Sequence, residues 1–241
     1  MRTVAVVAGA GRGERLGREG GKQYAPLAGV PVLARSLWNL QACEEVDGIV
    51  VAVNPGEVER AEKEIVSPYG LTKVIAVVEG GEHRQESVYR ALKAIPGGTE
   101  LVLVHDGARP FAGPSLFRRV INAMRDTDGA IAAVPVVDTV KEVEGGWVIR
   151  TLERRRLWAV QTPQCFQSFA LLDSHERAKR EGVWATDDAS LLERYRYRVR
   201  VVRGEVTNIK ITYPSDLVAA EALLAAGLIT DPLPPVPPGG R

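Results

Sequence analysis

The sequence predicts an α/β fold in which one mostly parallel, twisted sheet carries helices on both faces. Two observations support this prediction. Short runs rich in Val and Ile alternate with segments whose apolar residues recur at helical spacing, a pattern typical of parallel strands buried on both faces. The length of 241 residues also lies within the range of a single domain of this class.

The predicted elements follow the chain in order. Strands are predicted first at Val4–Ala8, Gly48–Val53, Val74–Val78, Leu101–Val104 and Ala130–Val134. Helices are predicted between them at Val32–Gln41, Val58–Ile65, Ser87–Ile95 and Ser115–Asp126. The carboxyl-terminal third is predicted to contain helices at Ser168–Glu181, Thr186–Tyr195 and Pro214–Ala226 and a strand at Arg198–Val202.

Residues 135–160 interrupt this rhythm and predict a protruding β-hairpin arm. Its strands are expected at Val136–Val143 and Trp147–Leu152, joined by the turn Glu144-Gly145-Gly146. A lone two-stranded ribbon is barely stable in water, so we expect the arm to pack against a partner subunit. We expect one domain over residues 1–228, arm included, followed by a Pro-rich, disordered tail over residues 229–241.

Composition narrows the class of function. The 31 basic and 30 acidic residues give a net charge of +1, which does not favour nucleic acid as a partner. We expect no membrane association, because no apolar stretch approaches the roughly 20 residues needed to span a bilayer and no signal segment precedes the first strand. The two cysteines, Cys43 and Cys165, lie far apart in no metal-binding spacing, which fits a cytoplasmic protein with buried thiols.

Residues 9–24 form a glycine-rich loop that follows the first predicted strand and carries two cations, Arg15 and Lys22. Gly11 and Gly13 have no Cβ to block close approach of the backbone to a polyphosphate, so this loop predicts a phosphate cradle. A Walker loop would need a hydroxyl residue after the lysine, and Gln23 stands there. A dinucleotide fingerprint would need a third glycine where Leu16 stands.

Two further segments lie where other predicted strands end, which is where α/β sheets bind ligands. Residues 80–87 offer backbone groups, an arginine and Ser87 at the predicted start of a helix. This segment is predicted either to recognise the edge of a nucleobase or only to cap the helix. Asp106 and Arg109 follow the fourth strand. Asp106 suggests contact with a metal ion, directly or through water, and Arg109 suggests contact with a second anion. The alternative is an internal ion pair between Asp106 and Arg109. His105 is more typical of a structural residue at a strand end.

Two more groups of residues complete the candidate site. Asp138-Thr139 and residues 153–164, with three consecutive arginines, flank the arm. Lys210 lies in an apolar segment, Asn208–Thr212, that we interpret as a strand, where a buried cation would need an anionic partner.

These segments occur in the order seen in the 2-C-methyl-D-erythritol 4-phosphate cytidylyltransferase family, and the chain resembles that family over roughly residues 2–226. The resemblance implies a Rossmann-like nucleotidyltransferase domain, transfer of CMP from CTP to the alcohol phosphate with release of pyrophosphate, Mg²⁺ or another divalent cation, and a homodimer interlocked through the arm. It also implies that Arg15 and Lys22 stabilise the transition state at the α-phosphate, with Ala10, Gly11 and Gly13 in the nucleotide cradle.

The resemblance assigns further roles residue by residue. Gly81, Glu82 and Ser87 fall where the family recognises cytosine, although Glu82 replaces a frequent Asp. Arg154 of the partner subunit and Lys210 match residues that position the methylerythritol phosphate. The polar surroundings of that substrate match Asp106, Arg109, Thr139 and Thr186.

Three alternatives remain open from the sequence. A ribitol 5-phosphate cytidylyltransferase shares the loop and much of residues 105–110, and Phe111 leans that way, whereas Leu157-Trp158 behind the arm favours the methylerythritol enzyme. A purine or hexose phosphate nucleotidylyltransferase is a second alternative. A catalytically inactive dimeric nucleotide-binding module is a third, and the presence of both Arg15 and Lys22 argues against it.

Overall fold

A seven-stranded sheet forms the centre of the protein in the computed structural model, which describes residues 2–11, 21 and 23–229. The strands in chain order are β1 (Thr3–Ala8), β2 (Pro26–Leu27), β3 (Val30–Pro31), β4 (Gly48–Val53), β5 (Val74–Glu79), β6 (Leu101–Asp106), β7 (Gly129–Pro135), β8 (Lys141–Glu144), β9 (Trp147–Thr151), β10 (Trp158–Gln167) and β11 (Val199–Arg203). The order in the main sheet is β11-β7-β10-β6-β1-β4-β5, and only β10 runs antiparallel to its neighbours.

Helices cover both faces of this sheet, as predicted. They are α1 (Val32–Gln41), α2 (Val58–Ala61), α3 (Arg84–Lys93), α4 (Pro114–Asn122), α5 (Ser168–Glu181), α6 (Asp188–Arg194) and α7 (Pro214–Ala225). Alternate residues of each central strand enter two separate cores. Ala5 and Val7 of β1 pack on the side of α1 and α4, whereas Val4 and Val6 pack on the side of α3, α5 and α6. This doubly covered sheet explains why its strands read as continuous apolar runs.

Strand β10 is an element that sequence reasoning missed. It pairs with both β6 and β7 in the middle of the sheet, although it contains Pro163. Proline cannot donate to a ladder and argues against a central strand. Here the β10–β7 register shifts between Val160 and Gln164, so Pro163 lies in the interrupted stretch of the ladder, where no backbone donor is required of it.

The arm is present but shorter than predicted. Its ladder comprises β8 and β9, joined by Gly145 and Gly146, which both have positive φ as a two-residue hairpin turn requires. Residues 136–140 are not a strand, because the chain bends at Asp138, and residues 158–160 belong to β10 in the main sheet. The arm therefore spans 136–157 and not 135–160.

Several helix boundaries also differ from the predictions. Helix α3 begins at Arg84 and not at Ser87, because the carboxylate of Glu86 accepts hydrogen bonds from the backbone of Glu82 and His83 and caps the earlier start. Helix α6 begins at Asp188, since the side chain of Asp187 caps it by accepting from the backbone N–H of Ser190 at 3.0 Å. Helix α2 continues as a wider π-turn over Glu62–Val66.

Three further findings bear on the sequence predictions. The segment Asn208–Thr212 is irregular and not a strand, and the backbone N–H of Ile211 donates to the carbonyl of Ala108 at 2.8 Å.

Cys43 and Cys165 are free and buried, and burial raises the pKa of the Cys43 thiol to about 12. Within the described ranges, no helix is both long enough and apolar enough to cross a lipid bilayer. The prediction for the tail concerns residues outside the described ranges, apart from Ile229.

Candidate active site

The glycine-rich loop begins at the carboxyl end of β1, and its described residues show how it is anchored. The side-chain amide of Gln23, which is buried, donates to the carbonyls of Gly9 and Gly11, the second bond measuring 3.0 Å. The backbone N–H of Gly11 donates to Asn54 Oδ1 at 2.7 Å. Gln23 therefore ties the segment after the loop to its start. The predicted site residues Gly13, Arg15 and Lys22 lie outside the described residues.

The segment 80–87 packs directly against the start of this loop. A Cβ on Gly80 would lie 2.5 Å from the Cβ of Ala10 and 2.7 Å from Ser87 Oγ, so only glycine allows this approach. Ser87 Oγ accepts from the backbone N–H of Gly81 at 3.0 Å and donates to the carbonyl of His83 at 3.1 Å. The structure thus places Ala10, Gly81 and Ser87 together and leaves Glu82 exposed beside them.

Three cations surround the carboxylate of Asp106 at the end of β6. Arg84 Nε donates to Oδ1 at 3.0 Å, and Lys210 Nζ lies 2.7 Å from Oδ2. Arg109 Nε lies 3.8 Å from Oδ2, too far for a hydrogen bond. Burial alone would raise the pKa of Asp106, but the charges of Arg84 and Lys210 outweigh it and hold that pKa well below its usual value. Asp106 is therefore ionised at neutral pH.

The position of Lys210 differs from the sequence expectation in one respect. Its side chain is 38% exposed and not buried, because the irregular segment around it lies at the rim of the site. The predicted anionic partner is present, namely Asp106. Arg109 is held from the same segment, since its Nη1 donates to the carbonyl of Asn208 at 2.7 Å.

His105 is fully buried beneath this group and has a structural role. Its Nε2 donates to the carbonyl of Arg109 at 3.2 Å, and its Nδ1 accepts from Thr162 Oγ1 at 3.1 Å. The same Thr162 oxygen accepts from the backbone N–H of Asp106 at 2.9 Å. Burial lowers the pKa of His105 to about 4, so the ring is neutral at physiological pH and fixes the turn that presents Asp106 and Arg109.

A cleft of about 390 Å³ opens over these side chains. Its lining includes Arg84, Asp106, Arg109, Thr162, Thr186 and Lys210. Four predicted substrate residues, Asp106, Arg109, Thr186 and Lys210, are thus brought together by three distant segments. The lining also contains the carboxylates of Asp187 and Glu193, so its three cations are matched by three acidic side chains. Arg84, Arg109 and Lys210 supply charged donors at the carboxyl end of parallel strands, where a phosphorylated ligand can accept from them.

Two predicted substrate residues lie elsewhere. Thr139 and Arg154 are exposed at the base of the arm and do not line the cleft of their own chain. Arg154 Nη1 donates to the carbonyl of Val137 within the arm. The side chains of β8 and β9 are exposed throughout, including the apolar residues Val143, Trp147, Val148 and Ile149.

Sequence reasoning missed two buried residues behind the cleft. Asp188 accepts from Arg84 Nη1 at 2.7 Å, and His175 Nε2 donates to the other Asp188 oxygen at 2.9 Å. Asp188 and His175 are 1% and 2% exposed. Arg84 is far in sequence from His175 and Asp188, which lie on the consecutive helices α5 and α6, so no local spacing signals the contact of all three.

The residues around Asp106 do not fit a direct metal ligand. Both carboxylate oxygens are engaged by cations, and the described residues contain no group of three or more His, Cys, Asp or Glu side chains arranged to hold a metal ion. Divalent hard cations prefer several oxygen ligands. No step of the chemistry is therefore assigned to a metal held by Asp106 itself.

The fold, with a cleft that presents three cations at the carboxyl ends of its strands, defines the class of protein, a nucleotidyltransferase. Comparison with known proteins gives the family. The family model for IspD, 2-C-methyl-D-erythritol 4-phosphate cytidylyltransferase, matches residues 3–226, and this chain belongs to that family.

Individual relatives agree with this assignment. The chain is 46% identical over 222 residues to the 2-C-methyl-D-erythritol 4-phosphate cytidylyltransferase of Desulforamulus reducens, covering 92% of this chain and 95% of that protein. It is 49% identical to the bifunctional enzyme IspD/IspF of Desulforudis audaxviator, covering 93% of this chain but only 57% of that relative's length. The 4-diphosphocytidyl-2C-methyl-D-erythritol synthase structure from Anaerococcus prevotii superposes with a TM-score of 0.82 at 32% identity, covering 93% of this chain and 98% of that one.

Proposed function

We propose that this chain transfers CMP from CTP to 2-C-methyl-D-erythritol 4-phosphate, giving 4-diphosphocytidyl-2-C-methyl-D-erythritol and pyrophosphate, in isoprenoid precursor synthesis by the non-mevalonate route. The observation that carries the proposal is the cleft at the end of β6, where Arg84, Arg109 and Lys210 surround one ionised carboxylate in a chain of this family. Membership of the family favours the methylerythritol phosphate over the ribitol phosphate alternative.

The chemistry requires no catalytic Ser, Cys or His. A phosphate monoester oxygen is already a nucleophile, and its attack on the α-phosphorus of CTP displaces pyrophosphate. The protein has to align the two substrates and neutralise the charge that builds on the phosphorus and the leaving group. We assign this to Arg15, Lys22 and the backbone N–H groups of the loop, with Ala10, Gly11 and Gly13 in the cradle.

Cytosine recognition is assigned to the segment that packs against the loop start. The backbone near Gly81 and Glu82, with Ser87, is proposed to read the pyrimidine edge. Ser87 already fixes this segment through Gly81 and His83, so its contribution includes positioning the backbone groups. The cytosine amino group is a donor where uracil has an acceptor, so a site built around acceptors would reject UTP.

The alcohol phosphate is assigned to the cleft, with Asp106, Arg109, Thr186 and Lys210 from one subunit. Arg154 of the partner subunit is proposed to reach the phosphate, and Thr139 to lie beside it. Exposed apolar side chains on an isolated ribbon support a homodimer in which the arms cover each other or the neighbouring domain.

A divalent cation, preferably Mg²⁺, is proposed as the cofactor. It would bind together with the triphosphate of CTP. Magnesium is commonly bound through substrate phosphates and few protein carboxylates. When bound, it would add positive charge at the phosphate oxygens. A cytoplasmic location is also proposed, because two buried free thiols suit a reducing compartment.

The proposal is tested by pyrophosphate release. The purified protein is incubated with Mg²⁺ and each combination of CTP or UTP with methylerythritol phosphate or ribitol 5-phosphate. We expect kcat/KM to be highest for CTP with methylerythritol phosphate. Equal kcat/KM for the two alcohol phosphates would contradict the substrate assignment, and equal values for CTP and UTP would contradict the assignment of residues 80–87.

A further inference from the structure

A chain of four charged or ionisable side chains runs from the cleft into the interior between α3, α5 and α6. It begins at Asp106, passes through Arg84 and Asp188, and ends at His175, with donor–acceptor distances of 3.0, 2.7 and 2.9 Å. We infer that Asp188 and His175 are positioning residues for the alcohol-phosphate half of the reaction, acting by fixing the guanidinium of Arg84. This inference rests on the proposed function of the cleft.

The orientation of Arg84 depends on two carboxylates. Its Nε donates to Asp106 and its Nη1 to Asp188, while its buried Nη2 has no hydrogen-bond partner within the described part of the chain. Burial alone would raise the pKa of Asp188, but the charge of Arg84 outweighs it and lowers that pKa to about 2. Asp188 is therefore ionised at neutral pH and holds the Nη1 edge of the guanidinium at α6.

Because Arg84 donates to both Asp106 and Asp188, it occupies only part of the Asp106 carboxylate. Arg84 engages only Oδ1, so Oδ2 remains for Lys210 and faces Arg109. An Arg84 released from Asp188 could turn and take both oxygens of Asp106, since a guanidinium and a carboxylate prefer a bidentate pair. Lys210 would then lose its partner and its position in the cleft. The consequence falls on the alcohol phosphate, whose proposed ligands include Lys210 and Arg109.

His175 completes the chain by restraining Asp188. Its Nε2 donates to the Asp188 oxygen that Arg84 does not use, so both carboxylate oxygens are occupied. The ring stacks on Tyr89 of α3 with centroids 6.2 Å apart and also lines a second cavity, of about 270 Å³, between α3 and α5. A small molecule entering this cavity has access to the position of the His175 ring if the ring is removed.

The first test is Asp188→Asn, which keeps the size of the side chain and removes its charge. We expect KM for methylerythritol phosphate to rise about tenfold or more, the loss typical of one charge-assisted hydrogen bond, while KM for CTP changes less than about twofold. The matched control is Glu176→Gln, which removes an exposed carboxylate linking α5 to Lys93 of α3, outside the buried chain. It is expected to leave both KM values unchanged.

The second test is His175→Ala with an added ring. In alkaline buffer, where both compounds are neutral, imidazole supplies an N–H donor and 1-methylimidazole does not. We expect imidazole alone to restore KM for the alcohol phosphate. This test also applies if Asp188→Asn fails to fold.

Three outcomes would overturn the inference. They are an unchanged KM for the alcohol phosphate in Asp188→Asn, a lower kcat with both KM values unchanged, and equal rescue of His175→Ala by the two rings. The last two would indicate a purely structural role. A wild-type protein that forms no product from these substrates would contradict the proposed function, which separates that failure from failure of the inference.

Discussion

The cleft at the end of β6 and the hairpin arm differ in where their interactions are completed. Asp106 is buried, and cations of its own chain engage both carboxylate oxygens. On the arm, five large apolar side chains are more than half exposed, and the Glu142–Arg150 ion pair is a contact within the ribbon itself. The cleft is therefore organised by contacts within the folded chain, whereas the apolar side chains of the arm are left uncovered by the part of the chain that the structure describes.

The largest expected effect comes from removing the negative charge of Asp106 in the cleft. Asp106→Asn leaves Arg84 and Lys210 facing a neutral amide, and breaking a buried ion pair typically destabilises a protein by about 3–5 kcal/mol. We expect a loss of this order in the free energy of unfolding, measured with urea, together with loss of pyrophosphate release.

The control for this variant is Asp126→Asn. Asp126 is paired with Arg200 at 3.2 Å, but both side chains are about half or more exposed. Surface pairs of this kind contribute at most about 1 kcal/mol. If the two variants were destabilised equally, the contrast between a buried charge group and ordinary surface pairs would be wrong.

The next effect concerns the arm. Ile149→Glu places a charge on an exposed apolar position, so the isolated subunit should fold as well as wild type. Because burying one Ile side chain stabilises by about 1.5–3 kcal/mol and a symmetric dimer buries two, dimer dissociation should become at least about a hundredfold easier. Analytical ultracentrifugation measures this shift.

Val218→Glu is the matched control for the arm, because Val218 is an exposed apolar residue of α7. It is expected to leave assembly unchanged. A wild-type protein that is monomeric at assay concentrations, or an Ile149→Glu variant that dimerises as tightly as wild type, would contradict the role of the arm.

A smaller effect is expected from pH. The folded state lowers the pKa of His105 from about 6.5 to about 4, so the unfolded chain binds a proton in this range before the folded one does. Stability from this group is present above about pH 6.5 and falls as the pH drops towards 4, by about 2 kcal/mol between pH 7 and pH 5. Urea unfolding of wild type and of His105→Asn at both pH values isolates it, since the variant should show a shallower dependence. An equal dependence in the two proteins would contradict the buried, neutral ring.

The sequence predicted most of the fold because buried parallel strands appear as short, continuous apolar runs, and β1, β4 and β6 lie where these runs are. Strand β10 was missed because Pro163 and its polar neighbours resemble a loop, and only the sheet around it overrides that local preference. The cations Arg109 and Lys210 were anticipated from single segments. Asp188 and His175 were not, since their role exists only once α5 and α6 bring them to Arg84.

The contrast depends most on a site shared between two subunits. Mixing two variants tests this directly, with the alcohol phosphate kept far below the raised KM so that each variant alone has little activity. Arg154→Ala should raise KM for the alcohol phosphate far more than KM for CTP, and Lys22→Ala should lower kcat by about a few hundredfold, as loss of one transition-state donor does. Random subunit exchange makes half of the dimers mixed, each with one intact site, so about a quarter of wild-type activity should return. Each variant mixed with itself is the control. Verified exchange with no return of activity would show that each cleft uses the arginine of its own chain.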